Sequence, residues 1–241
     1  AFIWEKTSTF LAEQGYYVLA VDVAPFGWSS IPEDQDYRKE VQAKKIIELL
    51  HSLSVTNPII LGHSYNSKIA LQIVKNFSSK KLILVAPILD YKKEISPLPL
   101  RILSSISVLR DPLLSLFVNN KLFADDILLS FMYKKNIDIE TVLDKLTLPF
   151  NKKGINHAYG EWFQEFFDET SVISDADTLN SLTLPIETLW GKEDSISEMK
   201  NFDTLKTLAP GATLNTIHDV GHMPHLENNI LFNETLLKVI K

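Results

Sequence analysis

The sequence predicts an α/β fold: a mostly parallel sheet flanked by helices, interrupted by an inserted helical cap. Three observations carry this. Short apolar runs alternate with one-faced helical segments between residues 16 and 87, the pattern of strands buried on both faces and joined by helical crossovers. The alternation stops at about residue 92 and resumes at 184. Apolar residues make up 45% of the 241 and charged residues 22%, which fits one large packed domain with an insertion rather than a disordered chain.

The elements follow in order. YYVLAVDV (16–23) is rich in Val and Tyr and is expected to be a buried strand. PFGWSS after it, with Pro25 and Gly27, is a turn and loop. RKEVQAKKIIELLHSL (38–53), with apolar residues at positions 41, 47 and 50, is expected to be a one-faced helix. NPIILG is the next strand, NSKIALQIVKNF the next helix, and KLILVAP (81–87) a further strand. The pieces SPLPLRILSSISVL, DPLLSLFV, ADDILLSFMYKK and YGEWFQEFF are apolar, punctuated by proline and poor in strand signals. They form the inserted layer. LPIETLWG (184–191) restores the sheet, SEMKNFDTLKTLAP is a helix, ATLNTIHDVG a strand and loop, and LENNILFNETLLKVIK a closing helix. This divides the chain into a core, 1–91 and 184–241, and a cap, 92–183. No internal repeat is present.

Composition narrows the partners. A net charge of -6 disfavours nucleic acid. The paired lysines at 44–45, 80–81, 92–93, 134–135 and 152–153 are scattered, as on an ordinary solvated surface. With no cysteine there is no disulfide framework and no thiolate chemistry. No stretch reaches the roughly 18 apolar residues of a membrane span, and AFIWEKTSTF does not read as a signal peptide. A cytoplasmic chain is the expectation.

GHSYN (62–66) stands between a strand and a helix. A serine there is as readily a helix cap as a nucleophile, so Ser64 alone decides nothing. WGKED (190–194) follows a later strand and carries Asp194, three residues past Gly191. DVGHMPHLE (219–227) follows the next strand and carries His222. Singly, Asp194 reads as a surface carboxylate and His222 as a loop histidine packed by Met223. Together, a serine, an acid and a histidine each occupy a loop beyond the C-terminal end of a strand. Open α/β sheets place their sites at that edge. A serine hydroxyl needs a base and an acid behind the base, and this trio would supply them.

DVAPFGWS (22–29), GHSYN (62–66), LWGKED (189–194) and GHMPHLE (221–227) resemble the α/β-hydrolase superfamily, in its branch with a helical cap. The resemblance spans the core and matches the cap only in placement. It implies Ser64 as nucleophile, His222 as base, Asp194 as orienting acid and the Tyr65 backbone amide as one oxyanion-hole donor. The family usually has glycine where this chain has Asn66; asparagine is small and tolerates unusual dihedrals. The family also carries a strand and a His-Gly-type loop ahead of the segment matching AFIWEKTSTFLAEQGYYVLAVD. A second oxyanion donor is therefore expected upstream of Ala1, and the fold is expected to be N-terminally incomplete. Three explanations stand: a segment preceding residue 1 in a longer chain, a genuine truncation, or a non-catalytic relative.

The implied reaction is cleavage of a small to medium apolar carboxylic ester through an acyl-enzyme on Ser64, with no cofactor or metal. A carbon–carbon bond hydrolase of the same superfamily and a non-catalytic small-molecule binding protein or receptor are the alternatives. Dehalogenases and epoxide hydrolases of this fold would want Asp at position 64. Trp28, Tyr65, Phe131, Met132, Tyr159, Trp162, Phe163 and Met223 are candidate pocket walls, with Phe166 and Phe167 beside them in sequence. Cap–core packing competes for each. His63, next to the serine, is expected on the core side of the turn.

Overall fold

A computed structural model of the chain describes residues 1–32, 36–89, 105–118, 126, 128–133, 137–165 and 175–241. Strands β1 (Ile59–His63), β2 (Lys81–Val85), β3 (Ile186–Gly191) and β4 (Thr213–Ile217) form a four-stranded sheet in that order. Every pairing is parallel, with Ile59 opposite Lys81, Leu82 opposite Ile186 and Glu187 opposite Thr213. All four strands therefore end at one edge.

Side-chain alternation explains how the sheet is covered. Leu82, Leu84 and Ile186 face helices α3 (Asn66–Asn76), α7 (Asp175–Ser181) and α8 (Asn201–Leu208), burying Leu71, Leu179 and Leu205. Ile83, Val85, Leu189 and Ile217 face the other way, onto Leu11 of α1 (Glu5–Glu13) and Phe232 and Leu236 of α10 (Asn229–Ile240). Helix α2 (Lys39–Ser52) packs on α3 through Ala43, Leu50, Ile69 and Ile73.

Between β2 and α7 the described elements are helices: α4 (Ser107–Val118), α5 (Ile139–Thr147), a 3₁₀ turn at Leu148–Asn151, and α6 (Ile155–Gln164). This is the inserted helical cap. Lys152 Nζ ties this insertion to the core by donating to the carbonyls of Gly27 and Ser29 at 2.8 Å each. Within the core, Asp175 of α7 and Lys39 of α2 form a buried ion pair at 2.7 Å. Breaking such a buried pair by removing one partner leaves an uncompensated charge, so it fixes how α7 seats against α2. Among the described residues no helix is long and apolar enough to cross a membrane.

Two expectations need correction. Residues 16–23 form no strand. Tyr16 and Val18 lie against the cluster that holds Ile59 and Leu61, and Val23 against the one that holds Ile60. Their apolar content reflects that packing, but no described strand pairs with this segment, and Tyr17, Leu19 and Val21 are exposed. The helix expected from Ser197 starts only at Asn201. The residues before it are turns that carry part of the site, and a separate short helix, α9 (Pro224–Glu227), precedes α10.

Candidate active site

Ser64 follows β1 directly and adopts φ +53°. That left-handed conformation costs a non-glycine residue about 1–2 kcal/mol. Its own backbone offsets the cost. The Ser64 N–H donates to the Val85 carbonyl at 3.0 Å, and its carbonyl accepts from Ser67 at 3.0 Å and Ile88 at 3.2 Å, bonds worth about 1 kcal/mol net each. The turn is tight because Gly62 lets α3 close onto β1: a Cβ there would sit 2.7 Å from Ala70 Cβ and 2.9 Å from the Asn66 carbonyl oxygen. Asn66 begins α3 and tolerates its place because the left-handed residue is Ser64. Tyr65 occupies the helix N-cap, where the helix dipole favours negative charge.

Asp194 lies in the turn after β3 and is 6% exposed. Its Oδ1 accepts from the N–H groups of Ile196 and Ser197 at 2.9 Å each. Ser197 is itself held, its hydroxyl donating to the Pro87 carbonyl and its carbonyl accepting from the Trp190 indole, both at 2.6 Å. One carboxylate oxygen is thus fixed by backbone and the other is aimed at His222, 3% exposed beyond β4. His222 Nδ1 lies 2.9 Å from Asp194 Oδ2, and its Nε2 lies 2.8 Å from Ser64 Oγ. A carboxylate only accepts, so the imidazole proton sits on Nδ1, and Nε2 accepts from the serine hydroxyl. The structure brings these three sequence-predicted residues into one hydrogen-bonded line.

His63, next to the serine, lies on the core side of the turn. It packs there between Trp4 and His225, with ring centroids 6.1 Å and 4.9 Å away. It also does something the sequence did not signal: its Nε2–H donates to the His222 carbonyl at 2.8 Å. Burial first, and then the His222 ring, push its pKa down to about 4. His225 is 1% exposed and stacks on Trp4 at 4.1 Å. Neither of its ring nitrogens has a hydrogen-bond partner among the described residues, and burial followed by His63 and His222 holds its pKa well below the usual histidine range.

A sign follows. Both histidines stay neutral in the folded state at pH values where an unfolded histidine, with pKa about 6.5, takes a proton. Unfolding therefore binds protons, and stability falls as pH drops from about 6.5 toward about 4. For His63 the full effect is about 3 kcal/mol. Urea melts from pH 7.5 to 5 are expected to show this loss. His225→Phe, which keeps the stack on Trp4, is expected to shallow the slope; an unchanged slope would contradict it.

The candidate pocket walls divide into two groups. Tyr65 meets Trp162 at 5.5 Å, and Phe26 meets Trp162 at 4.6 Å and Tyr159 at 5.2 Å. Phe131 lies 5.9 Å from the His222 ring, while Met132 and Met223 are buried together with Leu128 and Leu143. Phe163 is half-buried on α6. Trp28 is 69% exposed. Gly27 follows at φ +54°, and it is Phe26 that meets Tyr159 and Trp162 of the cap. Phe166, Phe167 and the second oxyanion donor expected upstream of Ala1 lie outside the described residues.

The profile of the family described as alpha/beta hydrolase fold matches residues 3–229. The chain belongs to the α/β-hydrolase family. This α/β-hydrolase is 26% identical over 247 residues to an uncharacterized hydrolase, YugF, of Bacillus subtilis (strain 168), covering 100% of the chain and 86% of that protein. It is 25% identical over 228 residues to Lipase 3 of Moraxella sp. (strain TA144), covering 89% of the chain but only 66% of the lipase. Among solved structures, 2-hydroxy-6-oxo-6-phenylhexa-2,4-dienoate hydrolase from Rhodococcus sp. strain RHA1 shares its fold with a TM-score of 0.78 at 20% identity, covering 100% of the chain and 85% of that one.

Proposed function

We propose that this α/β-hydrolase is a serine hydrolase that cleaves a small to medium apolar carboxylic ester. One observation carries the reading: the unbroken line from Ser64 Oγ through His222 to Asp194, with links of 2.8 Å and 2.9 Å. His222 Nε2 takes the hydroxyl proton as Ser64 Oγ attacks the ester carbonyl carbon. The carbonyl oxygen becomes an oxyanion, to which the Tyr65 N–H donates at the start of α3. As the intermediate collapses, the C–O bond to the alcohol breaks and His222 returns the proton to the leaving oxygen. Water, deprotonated by His222, then attacks the acyl carbon, and Ser64 leaves with the proton restored. Asp194 keeps the proton on Nδ1 and stabilises the imidazolium. The apolar walls at Tyr65, Trp162, Phe131 and Met132 favour an uncharged substrate.

Carbon–carbon bond hydrolysis is the second reading. The Rhodococcus 2-hydroxy-6-oxo-6-phenylhexa-2,4-dienoate hydrolase shares the fold, and the same three residues would serve. A panel of p-nitrophenyl esters from acetate to laurate, run beside a vinylogous diketone acid, separates the two. The ester reading expects turnover of short and medium esters, with a nitrophenol burst of about one per site as the acyl-enzyme forms. Turnover of the diketone alone would favour the second reading. Tight binding of both without turnover would leave a small-molecule binding protein.

A further inference from the structure

His222 lies five residues beyond the end of β4 in a loop without regular structure. Asp194 and Ser64 grip only its ring. Its backbone is held from other directions. Val220 N–H donates to Glu193 Oε2 at 3.2 Å, and His222 N–H to the Phe131 carbonyl of the cap at 3.0 Å. The amides on either side of His222 go to one side chain. Gly221 N–H lies 3.0 Å from both oxygens of Glu227, and Met223 N–H donates to Glu227 Oε1 at 3.2 Å. Glu227 closes helix α9 and is 7% exposed. The same carboxylate also accepts from the Tyr133 N–H of the cap at 2.8 Å. The junction has no slack: a Cβ on Gly221 would lie 2.8 Å from Tyr133 N and 3.3 Å from the Phe131 carbonyl oxygen.

We propose that Glu227 is a positioning residue that holds the His222 loop in register with Ser64 and ties that register to the seating of cap segment 131–133. The proposal rests on reading His222 as the base. A carboxylate suits the task because it only accepts and can take several N–H groups at once. Glutamine in its place would turn one end into a donor facing backbone N–H groups. A displacement of about 1 Å at the base is enough to cost roughly a hundredfold in rate.

The test compares wild type, Glu227→Gln, Glu227→Ala and Leu205→Ala. Leu205 is fully buried on the far side of the sheet, so its variant controls for lost stability alone. Proton NMR reads the downfield His222 Nδ1 proton, and hydrogen exchange reads the Gly221, Met223 and Tyr133 amides. The proton is expected in wild type and Leu205→Ala, and lost or broadened in Glu227→Gln. Exchange at the three amides should quicken at least tenfold in Glu227→Gln, and Ser64 labelling by a phosphonate should slow by at least tenfold. If Glu227→Ala does not fold, Glu227→Gln decides. A wild type without the downfield proton, or a Glu227→Gln protein with wild-type proton and exchange, would overturn the proposal. These two readouts need no competent serine, so a wild type that shows them but does not label at Ser64 counts against the serine-hydrolase reading and leaves Glu227 as the anchor of the loop.

Discussion

Ser64→Ala is expected to lower kcat/KM for the best ester by roughly 10⁴-fold or more, with the fold intact. The size follows from the kind of interaction lost. The hydroxyl is the attacking atom, so its removal abolishes the acyl-enzyme rather than weakening it. What remains is binding and oxyanion stabilisation acting on water. The fold should survive because the turn is stabilised by Ser64's backbone, through bonds to Val85, Ser67 and Ile88, and by the buried face of α3. Alanine keeps those bonds and differs from serine by one oxygen. Near-UV circular dichroism and a thermal melt check the fold, and steady-state kinetics checks the rate. Residual activity above about 1% of wild type would point to another nucleophile.

Asp194→Asn is expected to lower kcat by about 10³- to 10⁴-fold, with little change in KM. The asparagine oxygen can keep the place of Oδ1, accepting from Ile196 and Ser197 as the carboxylate does. Its amide nitrogen then replaces Oδ2 and donates to His222 Nδ1. The imidazole proton must move to Nε2, which can no longer accept from Ser64. The charge that stabilised the imidazolium is gone as well. A drop of less than tenfold would mean that Asp194 serves the loop and not the base.

Much of this arrangement is legible in the sequence, for local reasons. IILGH, KLILV, IETLWG and TLNTI announce themselves as short apolar or β-branched runs between helical segments, and a parallel sheet follows from their alternation. Ser64, Asp194 and His222 are found because each stands just past one of those runs. YYVLAVDV has the same composition yet forms no strand, because a strand is defined by a hydrogen-bonded neighbour that composition does not supply. The sequence shows Phe26 and Trp28 in one loop but not that Phe26 meets Tyr159 and Trp162 of the cap, since those contacts span more than 130 residues.

The support around the base was the least legible. Glu227 meets Tyr133 across 94 residues of sequence, and His63 meets the His222 carbonyl across 159. No spacing within a motif encodes such contacts. The only trace of Glu227 in the sequence is its place at the end of GHMPHLE.

The central claim is that Ser64 is a nucleophile activated by His222. Stoichiometric labelling with a fluorophosphonate, mapped by mass spectrometry of the digested protein, tests it most directly. The expected result is one equivalent of label on the peptide carrying Ser64, abolished in Ser64→Ala and strongly slowed in Asp194→Asn. A folded wild-type protein that takes up no label, or carries it on another residue, would contradict the account.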